Sequence, residues 1–178
     1  MNKCELRLCG LGGQGIIMTA MVVGKAASIF EDRFATLVQS FGPEARGSTC
    51  SAQVMVSDAP VAFPYVRASD ILVAFSQSAY DRFVGEMKEG ATLVFESDLV
   101  TPDNRLPAGV KAFGVPATRI AEETLGRRIA SNMVMVGFIV KSTGIVSRES
   151  AIEAIKTLVP SGTEKFNIRA FEAGCDFA

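Results

Sequence analysis

Residues 6–15 read Leu-Arg-Leu-Cys-Gly-Leu-Gly-Gly-Gln-Gly, and an apolar run extends from Ile16 to Phe30. A short strand-like run, a glycine-rich turn and a long apolar segment predict a strand passing through a tight turn into a helix. Gly10, Gly12 and Gly15 hold the G-x-G-x-x-G spacing, with Gly13 and Gln14 inside the turn. In that spacing one glycine makes the turn, one admits a pyrophosphate and one lets helix pack on strand. The helix that follows would aim free N–H groups at a phosphate. The same spacing also fits a sharp strand-to-helix turn that binds nothing.

Working outward, Ile16 to Phe30 is apolar almost all round, with Lys25 and Ser28 on one narrow polar stripe, so it is covered on more than one side. Phe34 to Val38 reads as a second strand, which opens a βαβ unit. Between Ser48 and Ser57 the alternation of Cys50, Ala52, Val54 and Val56 with polar neighbours suits an edge or antiparallel strand. Asp70–Phe75 and Thr92–Phe95 read as buried parallel strands, separated by a helix over Ser78–Lys88 that Gly90 closes. A short strand at Lys111–Val115 precedes a helix after Pro116, where Glu123 and Arg127 form an exposed i,i+4 pair. The C-terminal third is helical over 132–142, 147–158 and 163–174, with Gly144 as a stop and Ser147 as a capped start. The expected fold is therefore α/β: one domain over 1–178, a Rossmann-like, open, mostly parallel sheet with an antiparallel or edge strand and a helical C-terminal third.

Composition narrows the function. Eighteen basic and nineteen acidic residues give a net charge of −1, which leaves no electrostatic footprint for nucleic acid or an anionic membrane. Histidine is absent, so no Ser-His-Asp or Cys-His pair, no histidine ligand and no histidine base can be built, and no catalytic residue is assigned. Cys4, Cys9, Cys50 and Cys175 lack C-x-x-C spacing, so neither zinc nor an iron–sulfur cluster is expected on this chain, and they read as reduced, mostly buried thiols. The N-terminus has no apolar signal core and no segment approaches the ~20 residues of a membrane span, so a cytoplasmic protein is expected. A hydrophobic content of 48% and a mean hydropathy of +0.28 hint at apolar faces covered by partners. The run Met133–Val140 is apolar on every side and is either a core helix or an interface; its methionines and the hydropathy favour interface.

A dinucleotide site needs an acidic residue at the end of the second strand for a ribose hydroxyl, and that position is near Gln39. Glu31 and Asp32 lie earlier, where they suit a solvated turn, and Lys25 lies inside the helix, away from a P-loop position. The second informative stretch is Ser40-Phe-Gly42-Pro43-Glu44-Ala-Arg46-Gly47, at what should be the carboxyl edge of the sheet, where ligands meet an open α/β fold. A rigid surface turn with a local Glu44–Arg46 pair is the plainer alternative. Ser76-Gln77 and Ser97-Asp98 would join the same rim.

Taken in order, Gly10–Gly15, Ser40–Gly47, Asp70-Ile-Leu-Val-Ala, Pro116-Ala-Thr, Asn132–Gly137 and Asn167–Gly174 resemble the gamma subunit of 2-oxoacid:ferredoxin oxidoreductases, in wording nearest the 2-oxoglutarate branch. The resemblance implies a complex that converts a 2-oxoacid and coenzyme A to an acyl-CoA, releases carbon dioxide and reduces ferredoxin. It implies thiamine diphosphate with magnesium, and iron–sulfur clusters, on thiamine-binding alpha and beta subunits and a ferredoxin-like subunit, with no cofactor or metal on this chain. The glycine turn and the 40–47 loop would then dock beside the thiamine subunit or hold coenzyme A phosphates, with Arg46 as the anion partner. Ser48 stands where many relatives carry another glycine. A stand-alone Rossmann oxidoreductase and a purely structural subunit are the rival readings.

Overall fold

A computed structural model describes residues 3–43 and 47–178. Its sheet has six strands: β1 (Lys3–Leu11), β2 (Phe34–Phe41), β3 (Thr49–Ser57), β4 (Ser69–Ala74), β5 (Met87–Glu96) and β6 (Lys111–Val115). The order is β2-β3-β1-β4-β5-β6. β1, β4, β5 and β6 run parallel, while β3 is antiparallel to both β1 and β2. The α/β class, the largely parallel sheet and the antiparallel β3 are as expected. Two details differ. β3 is an interior strand, and β2 is the edge. β2 also does not neighbour β1, so the first strand–helix–strand passage skips a position. The few residues between β2 and β3 explain this, because a short connection forces the chain back antiparallel beside the strand it has just left.

The pleat sends Leu6 and Leu8 to one face and Cys9 to the other. On the first face lie α1 (Ile16–Lys25), α3 (Ala117–Leu125), α4 (Ser131–Thr143), α5 (Arg148–Leu158) and α6 (Glu164–Phe177). The second face carries the short α2 (Gln77–Phe83), whose Ala79, Tyr80 and Phe83 pack on Leu72, Ala74 and Leu93. α1 continues as a π-helical turn over Ala26–Phe30. Beyond that turn Glu31 accepts a 2.5 Å hydrogen bond from the Ser147 amide at the start of α5, so it anchors a helix where the sequence suggested a solvated turn.

α2 is shorter than its sequence suggests. It ends at Phe83, a 3₁₀ turn covers Val84–Glu86, and β5 already begins at Met87. Gly90 therefore closes no helix; it sits within β5 at φ 72°, with its N–H donating to the Ala108 carbonyl at 2.9 Å. Only a residue without a Cβ takes that conformation cheaply inside a strand. The expected Glu123–Arg127 pair is absent as well. Gly126 ends α3 in the left-handed conformation, so Arg127 leaves the helical register. Arg127 stacks 5.9 Å from the Phe166 ring, and Glu122 pairs with Arg128 at 2.9 Å. The Ser147 cap and the Gly144 stop are both present.

The helix expected at an interface is inside. Met133 to Val140 are all buried within this chain, enclosed chiefly by α6, α3 and α1. What admits so complete an enclosure is a pair of glycines. A Cβ on Gly137 would stand 1.9 Å from the Phe171 carbonyl oxygen, and one on Gly174 would stand 1.9 Å from that of Val134. α4 and α6 thus cross backbone against backbone. Among the described residues no helix is long and apolar enough to cross a membrane.

Candidate functional site at the carboxyl edge of the sheet

β1, β4, β5 and β6 all deliver their C-terminal ends to one edge, and the two informative loops meet there. The glycine turn closes on itself: the Leu11 amide donates to Gln14 Oε1 at 2.7 Å and the Gln14 amide to the Leu11 carbonyl at 3.1 Å. Gln14 Nε2 then reaches across to the Phe75 carbonyl at 2.9 Å, and the Phe75 amide donates to the Cys9 carbonyl at 2.9 Å. One side chain therefore fastens the turn to the end of the neighbouring strand. Gly10 leaves no room for a Cβ, which would lie 2.5 Å from Gln14 Oε1 and 2.8 Å from Phe75 Cβ.

Gly15 takes the N-cap position of α1 at φ 78°, and no side chain caps the helix. A Cβ here would collide with Asn132 of α4 at 2.6 Å. Two stretches 117 positions apart in sequence are thereby packed together, which no local pattern announces. Two bonds join the turn to the second loop: the Gly12 amide donates to the Ser48 carbonyl at 2.9 Å, and the Gly47 amide to the Gly12 carbonyl at 3.2 Å. The Gly42 amide donates to the Thr49 carbonyl at 2.8 Å, continuing the β2–β3 ladder, and Ser40 lies opposite Ser51. Pro43 sits in the bend that follows. Glu44 and Arg46 lie outside the described residues.

Of the other rim residues, Ser76 caps α2, its Oγ accepting from the Ala79 amide. Gln77 accepts from the Thr101 amide at 2.8 Å and so holds the 97–109 loop. The Ser97 amide extends the β5–β6 ladder to Val115 at 3.0 Å, and Asp98 pairs with Arg119 at 3.4 Å. These groups build the rim and are engaged in it. The sequence reading passed over Glu96, a carboxylate only 3% exposed at the end of β5. It accepts from the Thr118 amide at 3.0 Å and the Thr118 hydroxyl at 3.1 Å, serving as the cap that Pro116 cannot supply to α3. Burial pushes its carboxyl above the ordinary value, against those hydrogen bonds. Its only sequence signal is an acid following a run of buried strand residues.

The geometry bears on dinucleotide binding. The Gly12 amide is already committed to Ser48, and the insertion of β3 places the end of β2 two strand spacings, roughly 10 Å, from the end of β1. The ribose-binding position of the dinucleotide fold thus has no counterpart beside the glycine turn. At the opposite end of β1 a cavity of about 540 Å³ lies between Lys3, Glu5, Ser57 and the half-exposed rings of Phe63 and Tyr65. Glu5 is held there by Lys88 at 2.7 Å and Lys3 at 3.1 Å. Burial raises its carboxyl, but the two ammonium groups outweigh this and leave it below its ordinary value.

The mixed sheet order and a glycine turn tied to the β2–β3 connection set this fold apart from a dinucleotide-binding Rossmann domain, whose second strand lies beside the first. The chain belongs to the pyruvate ferredoxin/flavodoxin oxidoreductase family, whose description matches residues 5–177. It is 43% identical over 174 residues to the 2-oxoglutarate synthase subunit KorC of Methanocaldococcus jannaschii, covering 98% of this chain and 93% of that one. It is 45% identical to the subunit of the same name from Methanothermobacter marburgensis, covering 96% and 94%. Among solved structures, the gamma subunit of a keto/oxoacid ferredoxin oxidoreductase from Geobacter sulfurreducens superposes with a TM-score of 0.84 at 35% identity, over 97% of this chain and 96% of that one. The resemblance read from the ordered motifs is borne out.

Proposed function

We propose that this chain is the gamma subunit of a complex that oxidatively decarboxylates 2-oxoglutarate with coenzyme A to succinyl-CoA and passes the electrons to ferredoxin. The similarity to KorC chains along nearly the whole length carries this reading. Pyruvate and branched-chain 2-oxoacids are the alternative substrates, represented among the relatives by pyruvate synthase and ketoisovalerate oxidoreductase subunits of 34–36% identity. Thiamine diphosphate, magnesium and the iron–sulfur clusters belong to the other subunits. Histidine is absent here, and the glycine turn offers backbone amides rather than acids or bases. In this reading the chain shapes the surface on which partner subunits and coenzyme A meet, through the joined 10–15 and 40–47 loops.

A purely structural role is the second reading. The Gly12 amide is committed to the Ser48 carbonyl, so at least part of the turn serves the fold itself. Purifying the tagged chain gently from its native host and identifying its companions by mass spectrometry tests the complex. Recovery of thiamine-binding and iron–sulfur subunits is expected; recovery of the chain alone, or only as a homo-oligomer, overturns the proposal. With the complex in hand, Arg46→Ala separates the two roles. A higher KM for coenzyme A is expected from a phosphate contact, and an unchanged KM with assembly intact leaves the structural role.

A further inference from the structure

α2 covers only part of its face of the sheet, and beside it lies a small, polar, unfilled cleft. The hydroxyl residues Ser40 of β2 and Thr49 and Ser51 of β3 line it together with Arg82 of α2, around a space of about 20 Å³. The register brings the hydroxyls together: Ser40 is directly opposite Ser51, and Thr49 lies two residues before Ser51 on the same side of the pleat. Ser51 is more than nine-tenths buried. Among the described residues none of the three hydroxyls makes a hydrogen bond, and Arg82 has no carboxylate partner. The guanidinium rests instead 5.1 Å from the ring of Phe83.

Among the described residues no carboxylate lines the cleft, so nothing in that lining offsets the positive charge of Arg82. The space holds one oxygen atom. Ser40 and Thr49 are exposed, and Ser51, though largely buried as a residue, lines the same cleft, so all three hydroxyls are free to turn toward an accepting oxygen that enters it. Hydroxyls turn to donate, and a guanidinium presents a fork of donors to the remaining oxygens of a tetrahedral or planar anion. We propose that this cleft is an oxyanion seat, in which one oxygen of a phosphoryl group enters between Ser40, Thr49 and Ser51 while Arg82 closes over the others. Thr49 follows Ser48, whose carbonyl is tied to Gly12, so the seat and the glycine turn share one wall. The seat itself stands on this geometry; only the assignment of its phosphoryl group to coenzyme A rests on the functional reading above.

All four residues belong to this chain, so the full chain alone suffices for the test. Inorganic phosphate and, separately, coenzyme A are titrated into isotopically labelled protein while the backbone amide resonances are followed. Saturable shifts at Gly10, Thr49 and Ser51 are expected, with at least a tenfold weaker Kd for Arg82→Gln and for Ser51→Ala, and no change for Arg67→Gln at the far end of β1. Tighter binding of coenzyme A than of phosphate assigns the seat to the co-substrate; equal binding assigns it to free phosphate. Absence of saturable shifts at those amides, or an Arg82→Gln protein that binds as the parent does, overturns the seat. Recovery of the subunits by purification is independent of this outcome, so failure of the seat is distinguishable from failure of the proposed function.

Discussion

Residues 133–140 of α4 and the whole of β2 are both free of charge, and they end in opposite surroundings. In α4, Met133 to Val140 vanish into the interior, whereas Phe34 and Phe41 at the ends of β2 remain 47% and 65% exposed. β2 is also an edge strand of eight residues without a charge or a proline, while the other edge, β6, is five residues long and opens on Lys111. Edges of soluble sheets are ordinarily kept short or charged because their open backbone groups recruit further strands. High hydropathy therefore has two sources here: a helix sealed by its own chain and an uncharged strand open at the edge of the sheet.

That contrast yields predictions, beginning with the sealed helix. Gly137→Ala places a methyl group against the Phe171 carbonyl at 1.9 Å, with backbone on both sides and nothing flexible to yield. A loss of about 4 kcal/mol or more is expected in urea denaturation. A stable variant would mean that the α4–α6 crossing is looser than described. Met135→Ala, fully buried in the same helix, should lose about 3 kcal/mol, the ordinary cost of truncating an enclosed side chain.

Glu96 combines the burial of α4 with a charge. Its carboxyl is raised by burial, so the folded state holds the proton more tightly than the unfolded chain. Its contribution is thus fully present below the unfolded pKa and is lost as pH rises through the folded value. Glu96→Gln should remove that decline: parent stability falls relative to the variant across the mildly acidic range, as read from urea midpoints at several pH values. Equal slopes for the two proteins would show that the carboxyl is not perturbed. The smallest effect is expected at the open strand. Phe41→Lys should change the stability of the chain by no more than about 0.5 kcal/mol while lowering its tendency to associate, as measured by sedimentation. A large destabilisation would place Phe41 in the fold rather than on its surface.

The same contrast shows what the sequence made legible. Strand and helix types followed from period and punctuation, and the caps at Ser147 and Gly144 were visible because they are local chemistry. The position of β3 between β1 and β2 was not, since alternation reveals a half-polar strand but not its neighbours. The fate of Met133–Val140 was hidden for a similar reason: only the pairing of Gly137 with Gly174, 37 residues apart, tells core from interface. At the carboxyl edge, Gly10 to Gly15 and Ser40 to Gly47 were recognisable as loops. Their union through Gly12, Ser48 and Gln14, and the contact of Gly15 with Asn132, depend on tertiary structure. Glu96 escaped notice because a capping role supplied from another strand leaves no trace near the helix it serves.

The central place of β1 has a consequence in time. Its two neighbours in the sheet are residues 49–57 and 69–74, so β1, made before either, acquires both partners only after some sixty further residues have been added. At a synthesis rate of about 5–20 residues per second, that is a wait of several seconds. Until β3 and then β4 emerge, the apolar Leu6 and Leu8 and the long run from Ile16 lack the strands that enclose them. The nascent chain is then at its most vulnerable to unwanted association in the stretch from β1 through α1, and a chaperone would be most useful to it before β4 emerges.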